Sequence, residues 1–497
     1  MKKSLLLLSG LFLLAACSGN GISSGSKLGS GTTPDEQEEA FVSTWTTKGD
    51  KSMLFAFRKL PLGKKASMSP NLVKIDKSTR YQSVDGFGAA MTWASCYNLQ
   101  KMSAADRHDL LKELFDPTDG LGISLVRVSI GASDFNLNEY TWCDEEGLEN
   151  FAVNESDRKV VFPILREMFE INPDVKIIAS PWSAPIWMKS YWNGDRSYNS
   201  WTGGIVCPDL YQEFAQYMVK WVQTMEKEGF PIMAVTLQNE PLHEGNSMST
   251  FMPWALQRDI IKQAVGPAFA DACLSTKILV YDHNYGFGDM EDQKNYPIRI
   301  YEDPKASAYV TGSAWHNYTG SVSVLKEIHE LAPEKEIYFT EASIGSWYYD
   351  FDVCLIKDFK DIFMRTLENY NKGVTLWNMV LDDHNGPYSP QPGSCKTCYG
   401  AVEVSKSTHK VVERRTHYYN IAHASKVIRP GAERLATRGY SADNLMYQAY
   451  ENTDGSIGII VLNEAGEERQ LVFTTDTHSA TVKVPGRSIF SILFPDK

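Results

Sequence analysis

A chain of 497 residues, 43% hydrophobic and 22% charged, can bury the core of one large domain and a smaller one. Its net charge of −12 argues against nucleic acid as a partner, because a polyanion would meet a field of its own sign. The 12 Trp and 24 Tyr suit sugar-binding faces, but a core of this size also uses them, so the count alone decides little.

Residues 1–17 read as an export signal outside the fold. Lys2, Lys3 and Ser4 precede the apolar run Leu5 to Leu14, which is too short to span a bilayer as a mature helix. Leu14-Ala15-Ala16-Cys17 closes the run. This order resembles a bacterial lipoprotein signal, in which Cys17 becomes the lipidated N-terminus; the alternative is an ordinary secretion signal cut after Ala16. The expectation is an exported outer-membrane lipoprotein, held to the membrane by its lipid and facing the periplasm or the cell surface. Residues 18–40, rich in Gly, Ser and Thr, read as a flexible tether.

From residue 81 to residue 402, strand patterns alternate with helical ones. Strands are predicted at Gly86–Thr92, Ile123–Ile130, Val175–Ser180, Ile232–Gln238, Lys277–Tyr281, Tyr309–His316, Ile337–Thr340 and Val374–Met379. Helices are predicted at Ala104–Phe115 and Tyr211–Lys227, where apolar residues recur at spacings of three and four. Eight β/α units suggest a closed (β/α)8 barrel of the TIM type, an α/β fold. Residues 403–497 carry short strands separated by turns such as Asp454-Gly455 and Pro485-Gly486, which suggests an antiparallel side β-sandwich. The strand patterns within 41–80 have no place in the barrel and are assigned to the same sandwich, so both ends of the chain build it.

Two strands end on glutamate. Ile232-Met233-Ala234-Val235 leads to Asn239-Glu240-Pro241, and Ile337-Tyr338-Phe339-Thr340 leads directly to Glu341. Carboxylates at the C-terminal tips of barrel strands lie where such enzymes keep their chemistry. A pair of them is what glycoside hydrolysis requires. Cys395-Lys396-Thr397-Cys398 stands alone, with no second Cys or His pair at ligand spacing, so neither a metal nor another cofactor is expected. A local disulfide or two inert thiols are the readings left for it. Seven Cys besides Cys17 leave at least one thiol unpaired within a monomer.

Five motifs occur in order: Val84-Asp85-Gly86-Phe87-Gly88, Arg127 to Phe135, Ser180-Pro181-Trp182-Ser183-Ala184-Pro185, Asn239-Glu240-Pro241, and Phe339-Thr340-Glu341-Ala342-Ser343. Together they resemble glycoside hydrolase family 30, the family of glucosylceramidases and β-1,6-glucanases. The resemblance implies a retaining mechanism with Glu240 as acid/base and Glu341 as nucleophile. It also implies that Asn239 holds the sugar 2-hydroxyl, that Asp134 and Trp182 hold outer hydroxyls, and that Trp377 offers an aromatic face. Tyr318 would hydrogen-bond the nucleophile, and His316 would line the same wall. On charge alone, Arg127, read at the end of strand two, supplies a positive charge that lowers the pKa of Glu341. Glu240 must hold a proton at working pH, which needs burial or the negative field of Glu341. Structural alternatives are an ion pair for Arg127 and core positions for Trp182, Trp377 and His316. Trp93 stands where the glucosylceramidases carry an Asp. The expected substrate is a β-glucan or glucoside, a β-1,6-linked glucan first, with glucosylceramide or exo-action as the alternative. A monomer is expected. A surface glycan-binding protein without catalysis is the reading from a different class.

Overall fold

The computed structural model describes residues 40–495. Cys17, the predicted signal and the tether up to residue 39 lie outside the described residues.

Eight parallel strands form the barrel: Gly86–Ala89, Leu125–Ile130, Lys176–Pro181, Ile232–Thr236, Lys277–Asn284, Gly312–His316, Glu336–Glu341 and Asn371–Leu376. They are barrel strands one to eight below. Strands one and eight pair in register, and the ring closes between strands one and two through a bridge of Ala90 to Arg127. That seam explains the second glycine of the Gly86-Phe87-Gly88 motif: a Cβ on Gly88 would lie 2.0 Å from the Leu125 carbonyl oxygen. The predicted helices form at Ala104–Phe115 and Tyr211–Lys227. Ser103 caps the first by accepting the Asp106 N–H, and Leu110, Leu111, Leu114 and Phe115 bury its apolar side.

The barrel interior is built in layers. Leu125, Ile178, Ala234, Leu279, Ala314 and Tyr338 point inward from strands two to seven and make an apolar plug. Because side chains alternate along a strand, the next inward row lies two residues on. That row is polar: Arg127, Ser180, Thr236, His316 and Thr340, all buried. On strand five the alternation is broken by a bulge. Tyr281 pairs with Ala314 and His283 with Trp315, so Asp282 is the extra residue. Tyr281 and Asp282 both have positive φ, 74° and 75°. The bulge delays the row by one position, and Asp282 rather than Tyr281 joins the polar layer. At the opposite mouth, Asp85 binds Lys176 and the Tyr338 hydroxyl, an arrangement that serves stability.

The sandwich takes strands from both ends of the chain, as expected. Its ten-stranded sheet runs Ala56–Pro61, Phe41–Lys48, Ser488–Phe494, Ile457–Asn463, Leu445–Glu451, Glu433–Gly439, Leu72–Ser83, Arg469–Thr474, His478–Val484 and Gly63–Lys64. Val42, Val73, Phe473, Val482 and Ile492 form its core. One pairing departs from the antiparallel expectation: Arg469–Thr474 runs parallel to Leu72–Ser83, because these strands come from distant parts of the chain and no hairpin dictates their direction. Between residues 402 and 425 the chain still serves the barrel. Val402–Val404 and Val411–Arg414 form a small sheet with Val380–Asp382, and helix Thr416–Ser425 packs against barrel strand one.

Candidate active site

The mouth of the barrel gathers the residues singled out in the sequence. Glu341 ends strand seven, and Glu240 lies four residues past strand four with a φ of 45°. A glutamate in the left-handed region is held there by its surroundings. Its N–H donates to the Asp282 carbonyl, and its own carbonyl accepts the His243 N–H. Carboxylate oxygens of Glu240 and Glu341 come within 4.8 Å of each other, and a His316 ring nitrogen lies within the same distance of both.

Arg127 is placed differently from the sequence expectation. It stands in the middle of strand two, not at its tip, because it belongs to the inward polar row. Its Nη1 donates to Glu341 Oε2 at 2.6 Å, and its Nη2 donates to Asn239 Oδ1 and Asp282 Oδ2 at 2.7 Å each. Nucleophile contact and structural ion pair, posed as alternatives for Arg127, are therefore both present. The guanidinium carbon also lies 5.0 Å from the Trp182 ring centroid and 5.7 Å from that of Trp377. The two indoles stack on one another at 5.2 Å, and Phe135 meets Trp377 edge-on. Both Trp are buried beside the Arg127 guanidinium.

Tyr318 is partly exposed in the cleft and donates to Glu341 Oε1 at 3.0 Å. Asn239 is fixed from both sides, by Arg127 on its side chain and by the Pro181 carbonyl on its N–H. Asp134 is buried, and burial together with the Glu341 charge pushes its carboxyl up to about 7. Trp93, at the position of the missing Asp, starts a helix and stacks on Tyr97.

Asp282 escaped the sequence reading, which ended strand five at Tyr281. It is the most connected side chain of the site. Its Oδ2 accepts from Arg127, Ser180 and Thr236, and its Oδ1 from Thr340 at 2.6 Å with His316 Nε2 at 3.1 Å. Burial alone would raise its pKa, but Arg127, His316 and Thr340 hold it far below the usual carboxylate range. The signal that was there to find is the Asp282-His283-Asn284 run, polar residues at the end of a barrel strand.

His316 is buried between two carboxylates, with Nδ1 3.2 Å from Glu240 Oε1 and Nε2 facing Asp282. Burial disfavours its cation, yet the Glu341 charge and the bonds to Asp282 and Glu240 prevail and raise its pKa to about 9. The effect on Glu240 is reciprocal. Burial pushes its carboxyl up, but His316, His283 and His243 outweigh that and bring it to about 2. Burial and the field of Glu341 were expected to keep Glu240 protonated; an imidazole against the carboxyl reverses the direction. For Glu341, burial and the charge of Glu240 raise the pKa, opposed by His316 and Arg127. The ligand atoms of Glu240, His316 and Glu341 are close enough for a cation, but Arg127 already supplies Glu341 with a positive partner at 2.6 Å.

The rim is built by long loops. Residues 188–201 pack partly on their own aromatics, Tyr191 against Tyr198, while Trp192 lies against Phe251 yet stays 62% exposed. Cys395 and Cys398 form a disulfide in the loop after strand eight. Free thiols among the described residues are Cys96, Cys143, Cys207, Cys273 and Cys354. The disulfide loop ties the rim together: Ser346 N–H donates to the Thr397 carbonyl, and Ser247 N–H to that of Pro392.

The glycosyl hydrolase family 30 TIM-barrel domain matches residues 84–428, and the family's β-sandwich domain matches residues 431–492. The chain belongs to glycoside hydrolase family 30. It is similar to the endo-1,6-β-D-glucanase neg1 of Aspergillus fumigatus, 31% identical over 441 residues covering 83% of this chain and 85% of that one. It is also similar to the lysosomal acid glucosylceramidase of Mus musculus, 28% identical over 448 residues, 85% of this chain and 83% of that one. Among solved structures, the endo-β1,6-glucanase BT3312 superposes with a TM-score of 0.88 at 43% identity, covering 92% of this chain and all of the other. As a family 30 member the protein is a glycoside hydrolase.

Proposed function

We propose that this family 30 enzyme hydrolyses β-1,6-glucan with retention of anomeric configuration. The observation that carries the mechanism is the approach of the Glu240 and Glu341 carboxylates to within 4.8 Å. Retaining enzymes keep their pair about 5–5.5 Å apart, and inverting enzymes need about 6.5–9.5 Å to admit a water. In this reading Glu341 attacks the anomeric carbon while Glu240 gives a proton to the departing oxygen. Glu240 then takes a proton from the water that cleaves the glycosyl ester. Arg127 and Tyr318 aim the two oxygens of Glu341, and Asn239 is held ready for the sugar 2-hydroxyl.

The linkage is supported by the likeness to the fungal enzyme and to BT3312, both named as endo-1,6-glucanases. The polar composition of the loops after strands three and eight agrees with it. Asp382-Asp383-His384-Asn385-Gly386 suits sugar hydroxyls better than acyl chains. The test is a panel of β-1,6-, β-1,3- and β-1,4-glucans beside glucosylceramide in detergent, with chromatography of products. Oligosaccharides released from β-1,6-glucan alone support the reading. Glucose from glucosylceramide with no action on the glucan refutes the linkage and leaves the mechanism standing. Binding without release from any of them favours a glycan-binding protein.

The lipid tether at Cys17 belongs to the same proposal, motivated by Lys2-Lys3, the apolar run and Leu14-Ala15-Ala16-Cys17. Cys17→Ala is expected to move the protein from the membrane fraction to the soluble one with its activity intact. Native protein recovered soluble and without an N-terminal acyl group contradicts it.

A further inference from the structure

Asp282, His316 and Glu240 form a chain in which each group faces the next: carboxylate, imidazole, carboxyl. The first link is 3.1 Å and the second 3.2 Å. A carboxylate only accepts, so the ring nitrogen facing Asp282 must carry a proton in either charge state of the imidazole. With Nε2–H committed to Asp282, Nδ1 is the position that gains or loses a proton. The group opposite Nδ1 is Glu240 Oε1. We propose that His316 and Glu240 hold the acid's proton jointly, and that Asp282 is a positioning residue that makes this possible by fixing the tautomer of His316. The inference rests on the assignment of Glu240 as acid/base.

Before reaction the pair carries one exchangeable proton, on Nδ1 beside a Glu240 carboxylate or on Glu240 beside a neutral ring. As the glycosidic bond breaks, that proton goes to the leaving oxygen while Glu341 forms the ester. The pair is left as neutral imidazole and carboxylate, ready to take the proton of the attacking water. The remaining groups around His316 suit this role. Glu341 is the anion that supports the imidazolium, and it loses its charge as the proton departs. His283 lies 6.4 Å away ring to ring and is pushed by burial to about 4, so it stays neutral. Tyr318 meets the ring edge-on at 6.1 Å, and Arg127 is engaged with Asp282 and Glu341. The strand-five bulge is what brings Asp282 into this row, which gives its backbone strain a function.

The test uses the full chain and two variants, Asp282→Asn and His316→Gln, with fold checked by circular dichroism. The first readout is kcat/KM against pH on β-1,6-glucan, whose leaving group needs a proton, and on a dinitrophenyl β-glucoside, whose leaving group does not. On glucan, the alkaline limb is expected to move to lower pH by about 1–3 units in both variants: Asp282→Asn removes the anion that supports the imidazolium, and His316→Gln leaves the proton to Glu240 alone. On the dinitrophenyl substrate it is expected to stay put. A purely structural role would lower the plateau on both substrates and leave the limb where it was, and that result overturns the inference. If Asp282→Asn does not fold, His316→Gln decides alone. The second readout is ¹⁵N NMR of the imidazole of His316, which needs no substrate and therefore separates this inference from the functional reading. An Nε2–H tautomer and a pKa above the ordinary histidine value are expected; an Nδ1–H tautomer, or titration at the ordinary value, overturns it.

Discussion

Arg127 and Asp282 form a fully buried ion pair at 2.7 Å, and the same guanidinium donates to Glu341 at 2.6 Å. One planar side chain thus links the strand-five bulge to the end of strand seven. A lysine has no fork that spans both carboxylates. Arg127→Lys is expected to lower kcat/KM by about 10²-fold, the scale for losing one aimed donor. Arg127→Met takes the guanidinium from both Asp282 and Glu341, leaving His316 as the one cation between them, and is expected to cost roughly 3–5 kcal/mol of stability. Kinetics and urea unfolding check the two values. An Arg127→Met variant as stable as wild type would mean that His316, Thr236, Ser180 and Thr340 suffice for Asp282.

Removal of either glutamate is expected to act in a way that azide can report. Glu240→Ala should lose about 10²–10⁴-fold on glucan, the range for general acid catalysis, and far less on an activated aryl glucoside. Glu341→Ala should lose at least about 10³-fold on both, since the group lost acts in the transition state of each. Azide should rescue Glu341→Ala to the α-glycosyl azide and Glu240→Ala to the β-azide. The product anomer, read by proton NMR, tells the two roles apart. Exchanged anomers would exchange the assignments.

His423 joins barrel to sandwich. It faces Ser491 Oγ and Thr47 Oγ1 in a fully buried position, and burial lowers its pKa to about 3. The unfolded chain binds this proton near pH 6.5 and the folded chain does not. Stability is therefore lost as pH falls below about 6.5 and levels off near 3. His316 has the opposite sign. Its pKa of about 9 contributes stability that is complete below about 6.5 and is lost as pH rises through 9. His423→Gln should flatten the acid side of a Tm–pH curve and leave the alkaline side alone. An unchanged acid side would show that other buried groups, such as His283, dominate it.

The eight barrel strands were legible because their apolar runs alternate with amphipathic helices, and each was found within a few residues of its observed bounds. Glu240 and Glu341 were legible because each follows such a run. Asp282 was not, although it is the hub of the polar layer. Its inward position depends on a bulge with positive φ at both Tyr281 and Asp282, and a tyrosine gives no sign of such a conformation, although an aspartate tolerates it. The direction of the Glu240 pKa was missed for a related reason. It depends on His316, a neighbour 76 residues away in sequence, and a buried histidine is more commonly a satisfied core residue than a partner of a catalytic carboxylate.

The Cys395–Cys398 bridge closes a loop of only four residues, so the chain-entropy estimate for it is about 2 kcal/mol. Its reach is greater than its size, since Thr397 in that loop holds Ser346 of the strand-seven loop. The double variant Cys395→Ser, Cys398→Ser is expected to fold with at most about 2 kcal/mol lost. Its KM for polymeric glucan should rise more than its KM for a small aryl glucoside, because a polymer is long enough to reach the rim and a small glucoside is not. Equal effects on both substrates would confine the bridge to stability.

With their carboxylates this close, Glu240 and Glu341 are expected to cleave a β-glucosidic bond by two successive displacements. Proton NMR of the first products formed from β-1,6-glucan tests it most directly. The new reducing end is expected as the β-anomer, reaching the equilibrium mixture only by later mutarotation. An α-anomer formed first would mean a single displacement by water, and would contradict a mechanism built on two carboxylates this close together.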